Sequence, residues 1–517
     1  MRHRPVMRHR PVMMHRPVLA LSRALASLTA LTLFTAACGG GGAQPTQAPT
    51  TAPAATKPAA APAASPAAAA SPSPAAAGSP SPAAAGSPSP AAKPGASPAA
   101  AASPSAVARP PLQLQRIGGR VSVLGTWSGS EQDSFMAMVQ PFMDQTGVTV
   151  DYEGTRDLNA VLTTRVQGNN PPDLAGLPGP GPMAEFARQG KLIDLGSIVD
   201  QQAMRDEYAP TWLQLGTVDN KLVAIFIKAA VKGSIWYDPK NLQRFVSGQN
   251  PRTWDELMQL SQRIADSGAT PWCVGLESGS ASGWPGTDWI EDLVLRQAGP
   301  DVYMNWYQGK QPWTSAEIRG AWQAWGQIVG NDRMVYGGRQ FMLSTNFGDA
   351  GNPLFTNPPG CYLHHQLSAI TDFFTKANPS IQPVQDFNYF PFPEINQQYA
   401  GSLEVAGDLF GMFRDTPQAR ALIQYLTTPE AQAIWVKRGG ALSPNRRVTM
   451  DQYPDQISRQ LAQDLISART VVFDASDQMP DAMNNAFFSA ILNFVQNPGN
   501  LDSILADLDR TRADAYR

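Results

Sequence analysis

Two histidines and a short run of carboxylates are the residues of this 517-residue chain best suited to acid–base chemistry. Of the five histidines, His3, His9 and His15 fall in a basic leader, which leaves the adjacent pair His364 and His365. A Ser-His-Asp or Cys-His mechanism would have to take its base from that pair. Neighbours on a strand point to opposite faces, so the two cannot jointly grip one metal ion. A zinc site wants about four ligands, and the only nearby thiol is Cys361. No G-x-S-x-G elbow and no P-loop is present. Asp288 with Glu291 or Asp292, on one helix face, could pose two carboxylates ~5–9 Å apart, the arrangement of glycoside hydrolysis. That pair is the catalytic alternative; no metal and no cofactor is expected.

The charge is segregated along the chain. Residues 1–110 hold nine basic residues and no Asp or Glu, so residues 111–517 carry 31 basic against 42 acidic residues. An acidic body lacks the basic footprint that nucleic acid or an anionic membrane surface would need. No apolar run approaches the ~18 residues of a spanning helix. After Arg23 an apolar stretch from Ala24 to Ala37 has the length of a signal-peptide core and ends at Cys38, followed by four glycines. Residues 1–38 are therefore expected to be a lipoprotein signal with Cys38 as the lipidated mature N-terminus; an ordinary secretory signal is the alternative. The departure from the usual pattern is Thr35 at the third position before the cysteine. Residues 39–112 are nearly all Ala, Pro, Ser, Gly and Thr, with no aromatic residue. They have nothing to bury against the entropy of ordering and are expected to form an extended tether.

The body alternates strand and helix patterns. Val121–Leu124 reads as a strand, and Phe135, Met138, Val139 and Phe142 fall on one helical face after Ser130, the expected cap. Val148–Tyr152 returns as a strand, Asp157 is expected to cap a second helix, and Asp173–Leu177 is the next strand. This rhythm predicts a parallel sheet covered by helices. Thr253-Trp254-Asp255-Glu256 is a capping box ahead of a further helix, and Thr270–Leu276 reads as a strand. The last third is mostly helical. The fold class expected is α/β, in two lobes.

Three stretches carry a resemblance. The first is Val121 to Leu195, with Gly154-Thr155-Arg156-Asp157, Pro171-Pro172-Asp173 and Gly190–Leu195. The second joins Pro271-Trp272-Cys273-Val274-Gly275 to Gly283-Trp284-Pro285-Gly286-Thr287-Asp288-Trp289-Ile290-Glu291-Asp292. The third is Gly360–His365 with Gly407-Asp408-Leu409 and Leu442-Ser443-Pro444-Asn445. From Val121 to Val448 the chain resembles the extracellular solute-binding proteins of ABC sugar importers, most closely the α-glucoside branch. The resemblance implies a periplasmic-binding-protein-like fold, with an oligosaccharide gripped in the cleft between lobes and handed to permease subunits in the membrane. It also implies a monomeric receptor without catalysis, working outside the cytoplasm, and the lipid anchor expected at Cys38 and the acidic body with no nucleic-acid partner agree with it independently. Lobe 1 is expected to comprise 113–231 and about 386–428, and lobe 2 about 232–385 and 429–517.

A pyranose offers apolar C–H faces and a rim of hydroxyls, so its site needs aromatic plates with charged or amide groups. All 12 Trp lie in the body. Trp127 follows the first strand, where ligands bind in open α/β sheets; a core Trp is the alternative. Glu131 is a cleft carboxylate or a complement to the helix dipole. Arg156 sits on the loop after the second strand. Lys228 and Lys232 share a face in an apolar run and could form a charged cleft wall, with Lys232 the expected ligand group; a crossing of the solvated edge is the alternative. Trp284 offers a plate and Asp288 a carboxylate at a helix start, where Thr287 or Asp288 could equally be a cap. His364 matches a cleft position in the family or is a hydrogen-bonded core residue. Asp408, in an apolar run, would be costly to bury without a partner. Cys273 and Cys361 are the only thiols in the body, on two strand-like segments of one expected lobe, and a disulfide between them is expected; two free buried thiols are the alternative.

Overall fold

The structure is a computed structural model and describes residues 112–246 and 248–517. The leader, Cys38 and the tether up to residue 111 lie outside the described residues. No helix among the described residues is long and apolar enough to cross a membrane.

The opening rhythm folds as a βαβαβ unit. Arg120–Gly125 pairs in parallel with Thr149–Gly154 on one side and Leu174–Leu177 on the other. Ser130–Thr146 and Leu158–Gln167 are the connecting helices. The first helix buries Phe135, Met138, Val139 and Phe142, the face read from their spacing, and Gly147 ends it in the left-handed conformation. Its start differs from expectation: Gly129 holds the cap position at φ 58 and Ser130 is already helical. Asp157 does occupy the cap of the second helix, without a side-chain bond to the backbone. Thr253 makes the expected capping box with Glu256.

The eleven-residue strand Ser402–Met412 is the spine of the larger sheet. It pairs with Thr470–Phe473 through residues 402–405 and with Leu174–Leu177 through residues 409–412. On its other edge lies Ala224–Val231, antiparallel, with a register shift between Asp408 and Leu409 that leaves Asp408 opposite Lys228. A bulge twists the strand locally and re-aims side chains; here it sets a carboxylate beside an ammonium.

A second sheet of four strands runs Asn388–Pro391, Ser234–Tyr237, Leu363–Gln366 and Trp272–Cys273. The strand expected over 270–276 is confined to these last two residues. The chain passes from the larger sheet to the smaller at Lys232-Gly233, returns between Pro391 and Ser402, and leaves again after Phe473. The second and third passages lie beyond the positions expected near 386 and 429. Asn388–Pro391 pairs in the smaller sheet, and Pro429–Arg438 packs on Ser130–Thr146 beside the larger one. Gly233 adopts φ 68, and a β-carbon there would run into the Asp292 carboxylate. The first passage therefore needs glycine on both counts.

Cys273 and Cys361 form a disulfide with a sequence separation of 88. Closing a loop of that length is worth about 4–5 kcal/mol in the chain-entropy model. Replacing both cysteines with alanine should lower unfolding stability by an amount of that order. Urea unfolding of the variant against the oxidised chain measures the difference.

Candidate functional site

Between the two sheets lies a cavity of about 530 Å³. Loops, a helix start and the paired central strands of the larger sheet supply Trp127, Glu131, Arg156, Lys228 and Asp408; the opposite wall includes Ser280, Trp284, Phe347, Phe373 and Phe488. The passages contribute Lys232, Asp474 and Asp477. The volume falls within the ~300–1,000 Å³ of small-molecule sites.

On the first wall a chain of charges is locked together. The Lys228 ammonium donates to Glu131 Oε1 at 2.9 Å, and the Arg156 guanidinium to Glu131 Oε2 at 3.0 Å. Lys228 also lies 3.6 Å from Asp408 Oδ2, the cross-strand neighbour that the bulge provides. Burial pushes the Glu131 carboxyl up, but the charges of Lys228 and Arg156 outweigh it and hold the group below the usual range. Burial and the nearby Glu131 charge raise Asp408, against the pull of Lys228. Lys228 further stands 4.9 Å from the Trp435 ring and 5.7 Å from that of Trp127, in cation–π range.

Trp127 is 2% exposed. It packs against Phe135, Phe410 and Trp435, while the Tyr152 hydroxyl donates to its carbonyl and accepts from its N–H, both at 3.0 Å. It reaches the cavity as one edge of a core cluster and offers no free plate. The aromatic surface comes from Trp284, half-buried, with Phe347 packed edge-on at 4.9 Å and Phe373 and Phe488 nearby.

Contacts across the cavity show that its walls are closed on each other. Arg156 sits 5.3 Å over the Phe347 ring and its carbonyl accepts from Ser280 Oγ at 3.0 Å. Asn159 donates to Asp481 Oδ1 at 2.7 Å. Arg156 thus bonds to Glu131 on its own side and to two residues of the opposite wall.

Six of the eight residues expected at a ligand meet here: Trp127, Glu131, Arg156, Lys232, Trp284 and Asp408. Asp288 and His364 do not line the cavity. Asp288, one turn inside the helix that begins at Trp284, binds the Lys232 ammonium at 2.8 and 2.9 Å. It caps no helix; Gly283 holds that position. His364 is buried, with Nδ1 donating to the Cys273 carbonyl at 2.9 Å. Glu291 accepts from the backbone of Ala475 and Ser476, and Asp292 binds His365 and Arg296. The carboxylate pair considered for glycoside hydrolysis is thus tied up away from the cavity.

Several wall residues escaped the sequence reading. Asp474 follows directly on the end of the strand Thr470–Phe473, the place where open sheets put ligand groups; that position was a usable signal. Phe347, Phe373, Asp481 and Asn484 carry none, since ordinary loop and helix-start residues reach the cavity only through the packing. As for metals, Asp288, Glu404 and Asp474 each offer an oxygen within 4.8 Å of the others.

The bacterial extracellular solute-binding protein family matches residues 128–433. The osmoprotective compounds-binding protein GgtB of Synechocystis is 40% identical over 73% of this chain and 88% of its own length. The alpha-glucosides-binding periplasmic protein AglE of Rhizobium meliloti is 35% identical over 74% of this chain and 85% of its own. Among solved structures, a chitin oligosaccharide binding protein superposes with a TM-score of 0.68 at 16% identity, covering 77% of this chain and 99% of that one. RafE in complex with raffinose gives 0.61 at 17%, over 77% and 100%. At these identities the structural likeness speaks to the fold.

Burial holds His364 down at about 4, despite its bond to the Cys273 carbonyl, from an ordinary 6.5. The unfolded chain takes up a proton there that the folded chain refuses, so stability falls as pH drops through 6.5 towards 4. From pH 7 to 5 this one site should cost about 2 kcal/mol. Urea unfolding of His364→Gln should lack that share of the pH dependence, the gap from the parent narrowing by about 2 kcal/mol.

Proposed function

The chain belongs to the bacterial extracellular solute-binding proteins, and we propose that it is the receptor of an ABC importer that captures an α-glucoside between its lobes. Members of this family are receptors and not enzymes, and they work outside the cytoplasm. The observation that carries the sugar reading is the pairing of two unlike walls: Glu131, Lys228, Arg156 and Asp408 face the aromatic group Trp284, Phe347, Phe373 and Phe488. Charged groups bond equatorial hydroxyls and aromatic faces take the C–H side of a pyranose. The 35% identity to an alpha-glucosides-binding protein supports the α-glucoside. The 40% identity to an osmoprotective compounds-binding protein supports a solute receptor whose ligand is an osmoprotective compound as the second reading.

Delivery follows from closure. Ligand seated on one wall would complete contacts with the other, and the closed shape is what permease subunits would recognise. Lipidation of Cys38 would keep the receptor at the membrane, with residues 39–112 as the spacer that lets it reach its permease.

Titrating the full chain with maltose, trehalose, sucrose and maltotriose by tryptophan fluorescence should give a saturable change with at least one α-glucoside and no sugar breakdown. Arg156→Ala and Trp284→Ala should each weaken that binding roughly tenfold or more, the loss of a charge-assisted bond or an aromatic plate. Release of free glucose during the titration, or silence towards every α-glucoside, would overturn the proposal.

A further inference from the structure

The three passages between the sheets are stitched together by their backbones. Lys232 N–H donates to the Glu404 carbonyl at 2.9 Å, and Asp474 N–H to the Val405 carbonyl at 2.8 Å. Around this seam stand Asp288, Glu404 and Asp474, all buried. The Lys232 ammonium is bound to Asp288 and to Asp474 Oδ2, each at 2.8 Å. Nothing comparable serves Glu404. Its side chain is 0% exposed and both carboxylate oxygens lack a hydrogen-bond partner among the described residues. The charges that bear most on it are those of Asp292, Glu291, Asp474 and Asp288, all acidic.

A buried carboxylate with no donor at either oxygen is among the costliest arrangements a fold can hold. Protonating it would remove the charge but leave its carbonyl oxygen still without a donor. A metal cation would serve both oxygens at once. One oxygen each from Asp288, Glu404 and Asp474 lie within 4.8 Å of one another. Three points so spaced share a centre no farther than ~2.8 Å from each, a bound that admits the ~2.3–2.6 Å of calcium–oxygen bonds, and a buried set of carboxylates suits calcium better than magnesium, which keeps several of its waters. The donors are all hard carboxylate oxygens, which excludes a preference for softer metals. With Glu291 and Asp292 counted too, the buried carboxylates outnumber the Lys232 and Arg296 cations, so a metal ion supplies charge the cluster lacks.

We propose that Asp288, Glu404 and Asp474 form a calcium site at the hinge, beside the Lys232 ammonium. Asp288 belongs to the helix under the aromatic wall, whereas Glu404 and Asp474 belong to the strands and passages of the larger sheet. A cation on all three fastens the hinge on both sides. Lys232 and Asp474 also line the cavity, so the ion sits one side chain away from whatever the cavity holds.

The test is calorimetric titration of the EDTA-stripped full chain with Ca²⁺, alongside its thermal unfolding with and without the ion. One saturable site per chain and a rise in Tm on adding Ca²⁺ are expected. Glu404→Gln should weaken Ca²⁺ roughly tenfold or more by removing one ligand charge. Should that variant not fold, Glu404→Asp, which keeps the charge but withdraws it by one methylene, and Asp288→Asn serve in its place with the same expectation. Absence of a saturable heat and of any Tm shift in the parent chain would overturn the proposal, as would Ca²⁺ binding that these substitutions leave unchanged.

Discussion

A buried ammonium organises this molecule. Lys232 is 5% exposed, lies where the chain first leaves the larger sheet, and is held by Asp288 and Asp474. Burying an unpaired lysine would drive off its proton. Burial does lower it, but Asp288 and Asp474 outweigh that cost and hold the group well above its ordinary range. The three residues come from a passage, a helix beneath the aromatic wall and the end of a strand. Their pairing fixes the relation of the two sheets where the passages reach the cavity. The same ammonium stands 4.9 Å over Trp284, so the hinge ion pairs and the aromatic wall share a group.

The opposite wall obeys the same electrostatic logic with a different purpose. Glu131 is shared by Lys228 and Arg156, and each cation has a further partner: Asp408 for the lysine, Phe347 for the arginine. Charges bound to one another in a partly dry cleft are held in fixed positions, which lowers the entropy lost when a ligand hydroxyl joins them. The aromatic side supplies area and few polar groups. A solute with one hydroxylated rim and one apolar face matches both, and the family to which the chain belongs binds solutes outside the cell.

Much of the site was legible because local rules place it. Trp127, Glu131 and Arg156 follow strand ends in a parallel unit, where side chains face the crevice whatever the rest of the fold does. Strand alternation predicts one face for Lys228 and Lys232, four residues apart in an apolar run; both reach the cavity, Lys232 from just past the end of the strand. Reading Asp288 as a ligand group failed for a definite reason: a carboxylate near a helix start looks the same whether it faces solute or a lysine 56 residues away. His364 failed similarly, since a strand residue's outward or inward sense depends on what covers the sheet. Trp127 reaches the cavity but spends most of its ring on Phe135, Phe410 and Trp435.

Residue pattern alone determined the alternating α/β body, the helix faces and the strand-end positions of half the cavity. These depend on periodicity, capping and turn chemistry, which act over a few residues. The pairing of Cys273 with Cys361 was expected from scarcity rather than geometry. Tertiary structure alone decided where the chain changes sheets, because the passages have no distinctive composition. It also decided that Phe347, Phe373 and Phe488 face Glu131 and Arg156, and that Glu404 lies buried among other acids. Those are relations between residues far apart in the chain, fixed by how two sheets and their helices pack, and no local pattern encodes them.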